Sequence, residues 1–154
     1  MKIIFILSLS LLLTACGFKK VNQKNINIIH IQSINVVGEQ RIGYSLKNNI
    51  LLISKSDSKN KYNVQITITK KRINKIKDSS GKVTRYNVSI ITNLELINLE
   101  NKKRIQRIFS RNADYNIANI HSNTIANEKR TILNMTQQLS EDIISFITLS
   151  MRNG

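Results

Sequence analysis

The chain has no proline, a single cysteine, and only nine acidic residues among 154. It also has no Gly-rich phosphate loop, no His-Glu-x-x-His motif and no Gly-x-Ser-x-Gly motif. The acidic residues are scattered, and the neighbours Glu141 and Asp142 would point in different directions on a helix. No second histidine or acidic cluster lies near His30 in the sequence to complete a metal site. We therefore predict that the protein is not an enzyme and has neither a cofactor nor a metal site.

Long hydrophobic runs are also scarce, and the one that stands out lies at the N-terminus. An apolar stretch of about 11 residues follows Lys2, and the small residues Thr14 and Ala15 directly precede Cys16. A secretory signal peptide has this order of charged, apolar and small segments. Because a bilayer span needs roughly 20 residues, the stretch is too short for a permanent transmembrane helix. We predict that residues 1–15 are a cleaved signal peptide.

The cysteine directly follows this predicted cleavage site. The run Leu13-Thr14-Ala15-Cys16 resembles the bacterial lipobox, Leu-x-x-Cys, whose thiol receives a diacylglyceryl group and becomes the new N-terminus. A chance cysteine is the alternative, but an odd cysteine in an exported chain would be a reactive orphan. We predict that Cys16 is lipidated and that its acyl chains anchor the protein to the membrane. By resemblance to sorted lipoproteins, Gly17 in place of Asp favours the outer membrane over the inner one.

Positive charge greatly exceeds negative charge, with 24 Lys and Arg residues and a formal net charge of +15. Ten basic and two acidic residues lie between Lys55 and Arg85, and five basic residues without an acidic one lie between Lys102 and Arg111. An AT-rich genome would enrich lysine evenly, so it does not explain this clustering. One-sided charge attracts anions. Export argues against nucleic acid as the partner. At a bacterial outer membrane, the expected polyanion is the phosphorylated head group of lipopolysaccharide; a solvated sheet face is the alternative.

The first half of the mature chain predicts a tether, a strand and a helix. Residues 16–25 are polar apart from their start and are predicted to link the lipidated N-terminus to a single domain formed by residues 26–154. Residues 26–34 are rich in isoleucine and predict a strand that is apolar on both faces and therefore central. Residues 39–54 repeat apolar side chains every three to four positions and predict a helix. Its expected apolar stripe comprises Ile42, Leu46, Ile50 and Ile53, widened by Tyr44, Leu51 and Leu52.

Three meander strands are predicted next. Residues 62–69 alternate between apolar and polar, and the apolar positions then shift to Ile73, which predicts a β-bulge near Lys70 or Lys71. Residues 78–82 predict a hairpin turn in which Gly81 can adopt a positive φ. A strand over residues 83–98, a turn over 98–103 and a strand over 105–113 follow.

The last part of the chain predicts a loop over residues 112–123 and one long amphipathic helix from residue 124 to about 151. Ser122 or Asn123 is the expected N-cap of that helix, and His121 is expected to end the loop. The element order is therefore β-α-β-β-β-α, with a parallel crossover between the first two strands. We predict an α+β, two-layer sandwich in which two helices pack on one face of a four-stranded mixed sheet. The other face of the sheet should remain polar.

Several short segments in this order resemble the LPS-assembly lipoprotein family, LptE. They are the lipobox followed by Cys16-Gly17-Phe18, RIGYSLKN at 41–48, TRYNV at 84–88, DYN at 114–116, IANEKR at 125–130 and QLSEDI at 138–143. The resemblance covers essentially the whole mature chain, although each segment alone is unspecific. The chain differs from the family in its lysine-rich sheet and in lacking prolines near the N-terminus.

The resemblance implies a role on the periplasmic side of the outer membrane. Members of the family sit as a plug inside a large, LptD-like LPS-assembly β-barrel, and the pair places lipopolysaccharide in the outer leaflet. Large barrels have polar lumens that can hold such a plug. A different envelope lipoprotein, one that binds peptidoglycan or helps barrels to fold, is the alternative.

Seven residues are the candidates for contact with lipid phosphates, because Lys and Arg bind phosphate by charge and Arg also as a bidentate fork. They are Lys70, Lys71, Arg72, Lys75, Lys77, Lys82 and Arg85.

Overall fold

A computed structural model describes residues 29–58 and 60–152 of the chain. Its elements follow the order β1 (His30–Gly38), α1 (Gln40–Leu51), β2 (Lys61–Lys77), β3 (Val83–Asn98), β4 (Arg104–Asn116) and α2 (His121–Arg152). The signal peptide, Cys16 and the tether were predicted within residues 1–28, which lie outside the described residues. Those three predictions therefore stay predictions.

The four strands form one mixed sheet in the order β1-β2-β3-β4. β1 and β2 are parallel and are connected through α1, whereas β2–β3 and β3–β4 are antiparallel hairpins. Both helices pack on the same face of this sheet, α1 against β1 and α2 chiefly against β4. The predicted α+β sandwich and its element order are confirmed, and β3 has the bounds that its alternation predicted.

The hydrophobic core lies between the sheet and the two helices. Leu46 and Ile50 of α1, like Leu139 and Ile143 of α2, are fully buried. On the sheet, the buried side chains are those predicted to share a face: Tyr62, Val64, Ile66 and Ile68 of β2 with Val88, Ile90, Leu94 and Leu96 of β3. Gly43 allows α1 to approach β1 closely, since a Cβ there would lie 2.1 Å from Cγ1 of Val36.

The first strand lies at an edge of the sheet, and its predicted central position is wrong. Among the described residues β1 pairs with β2 alone, whereas β2 lies between β1 and β3. Ile29 and Ile31 are buried, but Ser33 and Asn35 pair with the outward-facing Asn63 and Gln65. The described part of the strand therefore buries one face only, as an edge strand covered by a helix does.

The β2–β3 pairing is regular past Lys70 and Lys71, so the predicted bulge at those residues is wrong. The register shifts only between Asn74 and Lys77. Ile73 instead lies on the outer face of the sheet and is 49% exposed. β1 ends opposite Ile68, and in the part of the chain that the structure describes no strand flanks β2 on that side beyond this point. The apolar residues of this part of β2 are therefore not confined to one face. The outer face is accordingly less polar than predicted and also carries exposed Val37, Ile91 and Ile108.

Both helices differ from their predicted bounds. α1 ends at Leu51 rather than near residue 54, and Tyr44, Leu51 and Leu52 are exposed rather than part of its apolar stripe.

β4 continues to Asn116, beyond the predicted end at residue 113, because Tyr115 pairs with Tyr86 and is buried.

α2 therefore begins after a four-residue link, at His121. The predicted caps Ser122 and Asn123 lie inside its first turn, and His121 belongs to the helix rather than ending the loop. The carbonyl of Ile120 accepts the backbone N–H groups of Asn123 and Thr124 at this end.

Candidate functional site

The candidate residues lie on the far part of the β2–β3 hairpin, here called the basic hairpin (residues 70–90). Its turn is held by Asp78, whose Oδ1 accepts hydrogen bonds from the backbone N–H groups of Ser80 and Lys82 and from the Ser80 hydroxyl. These bonds, the Ser80 hydroxyl first, lower the pKa of Asp78. Gly81 has φ +82° as the turn requires. The predicted turn is confirmed and positions Lys77 and Lys82 at its two sides.

The seven predicted cations do not form one patch, because strand alternation distributes them over two faces. Lys70 and Arg72 face the helices, since their cross-strand partners Ile90 and Val88 are fully buried. Lys71, opposite Ser89, faces the outer side. Nε of Arg85 donates a hydrogen bond to Oδ1 of Asn116, 2.8 Å away, at the end of β4.

Arg72 links the basic hairpin to the start of α2. Its guanidinium lies over the ring of Tyr86, 4.8 Å from the centroid, and Nη1 is 3.5 Å from the Tyr115 hydroxyl and 3.4 Å from Oε2 of Glu128. The hydrogen bond with Tyr115 is the main cause that raises the pKa of Arg72. Burial raises the pKa of Tyr115. The guanidinium therefore keeps its charge while its hydrogen-bonding groups are partly engaged within the protein.

Two further candidates are paired with acidic side chains that the sequence analysis did not foresee. Nζ of Lys70 lies 3.4 Å from Oε2 of Glu39, and Lys75 forms an ion pair with Asp114. The Lys75 ammonium, followed by the Asn87 amide, lowers the pKa of Asp114. Among the described residues, by contrast, the side chains of Lys71 and Lys77 have no hydrogen-bond or ion-pair partner, which leaves their ammonium groups available.

The second basic segment of the sequence is mostly engaged as well. Arg104 lies 3.3 Å from Glu95, Arg111 pairs with Asp142 of α2, and Arg107 lies over the ring of Phe146 at 5.0 Å. Arg107 and Arg111 alternate with outward residues in β4, so their positions facing the helices were readable from the sequence. Their acidic and aromatic partners, which are distant in sequence, were not.

An open groove lies beside the basic hairpin, between the first turns of α1 and the N-terminal half of α2. It has a volume of about 360 Å³ and an apolar lining that includes Ile42, Ile125, Ile132 and Leu133. Arg41, Lys70 and Lys129 stand at its rim with Glu39 and Glu128. A second cavity of about 380 Å³ adjoins it, sharing Ile125 and Glu128, and contains Arg72 and Tyr86. Sequence analysis missed the groove, because it arises only when two helices distant in sequence pack together.

Within residues 29–58 and 60–152, no cluster of three His, Cys, Asp or Glu side chains is suited to hold a metal ion. Nδ1 of His30 is instead hydrogen-bonded to the backbone carbonyl oxygen of Ser56, at 3.0 Å. Neither helix of that part of the chain combines the length and hydropathy needed to cross a membrane.

Comparison with known protein families gives a match that spans most of the chain. The sequence model described as LptE, lipopolysaccharide-assembly, matches residues 26–147. No protein of curated function matches the chain in sequence.

Several solved structures share the fold at low sequence identity. A lipoprotein from Caulobacter crescentus is 12% identical, with a TM-score of 0.60 over 85% of this chain and 95% of its own. The rare lipoprotein B from Shewanella oneidensis is 12% identical, with a TM-score of 0.56 over 79% of this chain and 97% of its own. An uncharacterised lipoprotein B from Nitrosomonas europaea is 16% identical, with a TM-score of 0.53 over 79% and 83%. At these identities the likeness establishes the fold alone.

Proposed function

The chain belongs to the lipopolysaccharide-assembly family LptE, and from this premise we propose that it is an outer-membrane lipoprotein that acts as plug and assembly partner of an LptD-like β-barrel. In this role it assists the insertion of lipopolysaccharide into the outer leaflet, as a binding protein rather than a catalyst. The observation that carries the proposal is the family match over residues 26–147, which includes both helices' packing faces and the whole sheet.

The anchor of the proposed plug is Cys16. A lipobox cysteine with two or more acyl chains would hold the domain at the inner leaflet of the outer membrane, since each buried methylene contributes about 0.8 kcal/mol. The domain supplies its own core between sheet and helices, so it has no need of a partner to bury its main apolar surface. A self-sufficient domain with polar and charged outer residues suits the polar lumen of a large barrel.

The proposed contact with lipopolysaccharide is the basic hairpin. Its free cations Lys71 and Lys77 are best placed for the lipid phosphates, because the ion pairs of Lys70, Arg72 and Lys75 already engage those side chains within the protein. Lys82 and Arg85 contribute charge at the same end of the sheet. Positive charge at one end of a domain raises the local concentration of an anionic ligand.

Affinity purification from detergent-solubilised membranes tests the proposal. We expect one large outer-membrane β-barrel to co-purify in a stoichiometric amount with the full lipoprotein, as identified by mass spectrometry. The Cys16→Ser variant is the matched control for anchoring, and it should recover much less of the barrel. Recovery with murein sacculi and without a barrel would contradict the proposal and would favour a peptidoglycan-binding lipoprotein.

A further inference from the structure

The groove between α1 and α2 lies outside the proposed lipopolysaccharide contact at Lys71 and Lys77. We propose that it binds one acyl chain of lipopolysaccharide, while Arg41 and Lys129 at its rim hold a phosphate of the same lipid. The inference rests on the proposed function and extends it, because it gives the lipid a second contact besides the basic hairpin.

The apolar lining of the groove is open to water. Ile42 is buried at its base, whereas Ile125 and Leu133 of α2 are 52% and 63% exposed. The spacing of eight residues places these two side chains on the same side of the helix, two turns apart. An alkyl chain lying along the helix would remove both from water, and burial of apolar surface favours binding.

The charges at the rim favour an anion. Glu39 is paired with Lys70 and Glu128 with Arg72, so both acidic groups of the rim are neutralised. Among the described residues, the side chains of Arg41 and Lys129 have no hydrogen-bond or ion-pair partner, although they stand at the same groove. Arg can hold a phosphate with two parallel hydrogen bonds and Lys can hold it by charge.

The size and position of the groove indicate which kind of lipid it can bind. A volume of about 360 Å³ is near the lower end of the range of about 300–1,000 Å³ for small-ligand sites, so it suits one chain rather than a whole multi-chain lipid. Lys70 lines the groove and Arg72 lines the cavity beside it, which makes the groove continuous with the basic hairpin. The groove opens on the helix-covered face together with Lys70, whereas Lys71 faces the outer side of the sheet. A lipid with several phosphates can contact the cations of the helix-covered face while one of its acyl chains lies in the groove, whereas a common diacyl phospholipid has a single phosphate.

Photo-crosslinking of the full lipoprotein in its own outer membrane tests this inference. A photoreactive phenylalanine analogue replaces Leu133 in the groove or, as the matched control, Leu149, which is 56% exposed at the other end of the same helix. Both side chains are exposed, so neither replacement disturbs the core. We expect the lipopolysaccharide adduct to be at least fivefold stronger at position 133 than at position 149. Equal adducts, or an adduct of phospholipid or of the barrel at position 133, would overturn the inference.

The charged rim has its own test in the same assay. Arg41→Gln with Lys129→Gln should lower the adduct at position 133 at least threefold, whereas Lys61→Gln with Lys103→Gln, which removes the same charge elsewhere, should leave it unchanged. An equal effect of both pairs would contradict a role for the rim.

A photoreactive group at position 71 of the basic hairpin separates the two proposals. Lipopolysaccharide captured at position 71 but not at position 133 would overturn the groove and leave the proposed function standing. Lipopolysaccharide captured at neither position, with no barrel co-purified, would overturn both.

Discussion

At the scale of single residues, ion pairing decides which cations of the basic hairpin are available to a ligand. Lys70 and Lys75 share a hairpin with Lys71 and Lys77, yet the first two are paired with Glu39 and Asp114. Exposed ion pairs contribute only about 0–1 kcal/mol to stability, but they lower the positive charge that a ligand meets. The number of basic residues in the sequence therefore overstates the number of cations that are available to a ligand. The difference is largest at strand positions that face the helices.

Replacing the two unpaired lysines should weaken binding of lipopolysaccharide. Lys71→Gln with Lys77→Gln removes roughly 1 kcal/mol of binding free energy per lysine at low salt, so we expect a loss of affinity of roughly thirtyfold. The loss should shrink as salt screens the charges. Titration of lipopolysaccharide onto the immobilised, detergent-solubilised lipoprotein at two salt concentrations measures it. The control Lys61→Gln with Lys103→Gln removes equal charge at the opposite end of the sheet, and an equal loss there would argue against a specific contact.

Asp114 should make the stability of the fold depend on pH. Its folded-state pKa is lowered by Lys75 and Asn87 below the value of about 3.9 expected in the unfolded chain. The stabilisation is therefore present above about pH 4 and is lost as the pH falls through the lower folded-state value. We expect Asp114→Asn to lower the melting temperature more at pH 7 than near pH 2.

Thermal unfolding followed by circular dichroism at both pH values tests this dependence on Asp114. Asp57→Asn, at an exposed loop residue, should match the parent protein at each pH. A deficit of Asp114→Asn that is the same at pH 7 and pH 2 would show that the carboxylate charge does not stabilise the fold.

At the scale of secondary-structure elements, the sequence predicted the features that strand and helix periodicity determine. It did not predict the features that depend on contacts between residues distant in the chain. The alternation of β3 determined its bounds and its buried face, because one residue of slip would move every side chain to the other face. The edge position of β1 depends instead on strand pairing, because β2 pairs with β1 on one side and with β3 on the other. Tyr115 extends β4 only because Tyr86 lies opposite it.

The candidate site follows the same division. The basic hairpin and its turn at Asp78 were readable from local sequence. The helix groove and the acidic partners of the cations were not, since Glu128 and Arg72 are 56 residues apart in the chain.

The close packing of α1 on β1 should be sensitive to a single methyl group. In Gly43→Ala, the new Cβ would lie 2.1 Å from Cγ1 of Val36 and 3.2 Å from Cδ1 of Ile68. Overpacking of this kind typically costs about 1–3 kcal/mol of unfolding free energy, even though alanine is the better helix former. Urea unfolding measures the change, with Asn48→Ala on the exposed side of α1 as the control. A Gly43→Ala variant as stable as the parent would contradict the close contact.

At the scale of the whole molecule, the two ends of the domain have different properties. One end of the helix-covered sheet lies at the first residues of β1, which follow the predicted tether, residues 16–25, in the chain. The basic hairpin and the groove lie at the opposite end, beyond the last β1–β2 pair of Gly38 with Ile68. β1 has nine residues at about 3.3 Å each, so the two ends are about 30 Å apart or more. A lipid anchor at one end and lipid-binding candidates at the other would allow the domain to reach from the inner leaflet into a barrel lumen.

The mass of the mature N-terminus tests the anchor. We expect protein purified from the outer membrane to lack residues 1–15 and to carry a diacylglyceryl group on the sulfur of Cys16, as measured by intact-mass and peptide mass spectrometry. Cys16→Ser should abolish the modification. A mature chain with an unmodified thiol, or one that retains the leader, would contradict a lipid-anchored protein.

Depletion of this protein from the bacterium that encodes it tests directly whether the protein assists lipopolysaccharide assembly, through the amount of lipopolysaccharide that still reaches the cell surface. Surface labelling of lipopolysaccharide, followed over the course of depletion, should show a fall that parallels the loss of the protein and of its assembled barrel. Unchanged surface lipopolysaccharide in cells that have lost the protein would contradict a role in its assembly.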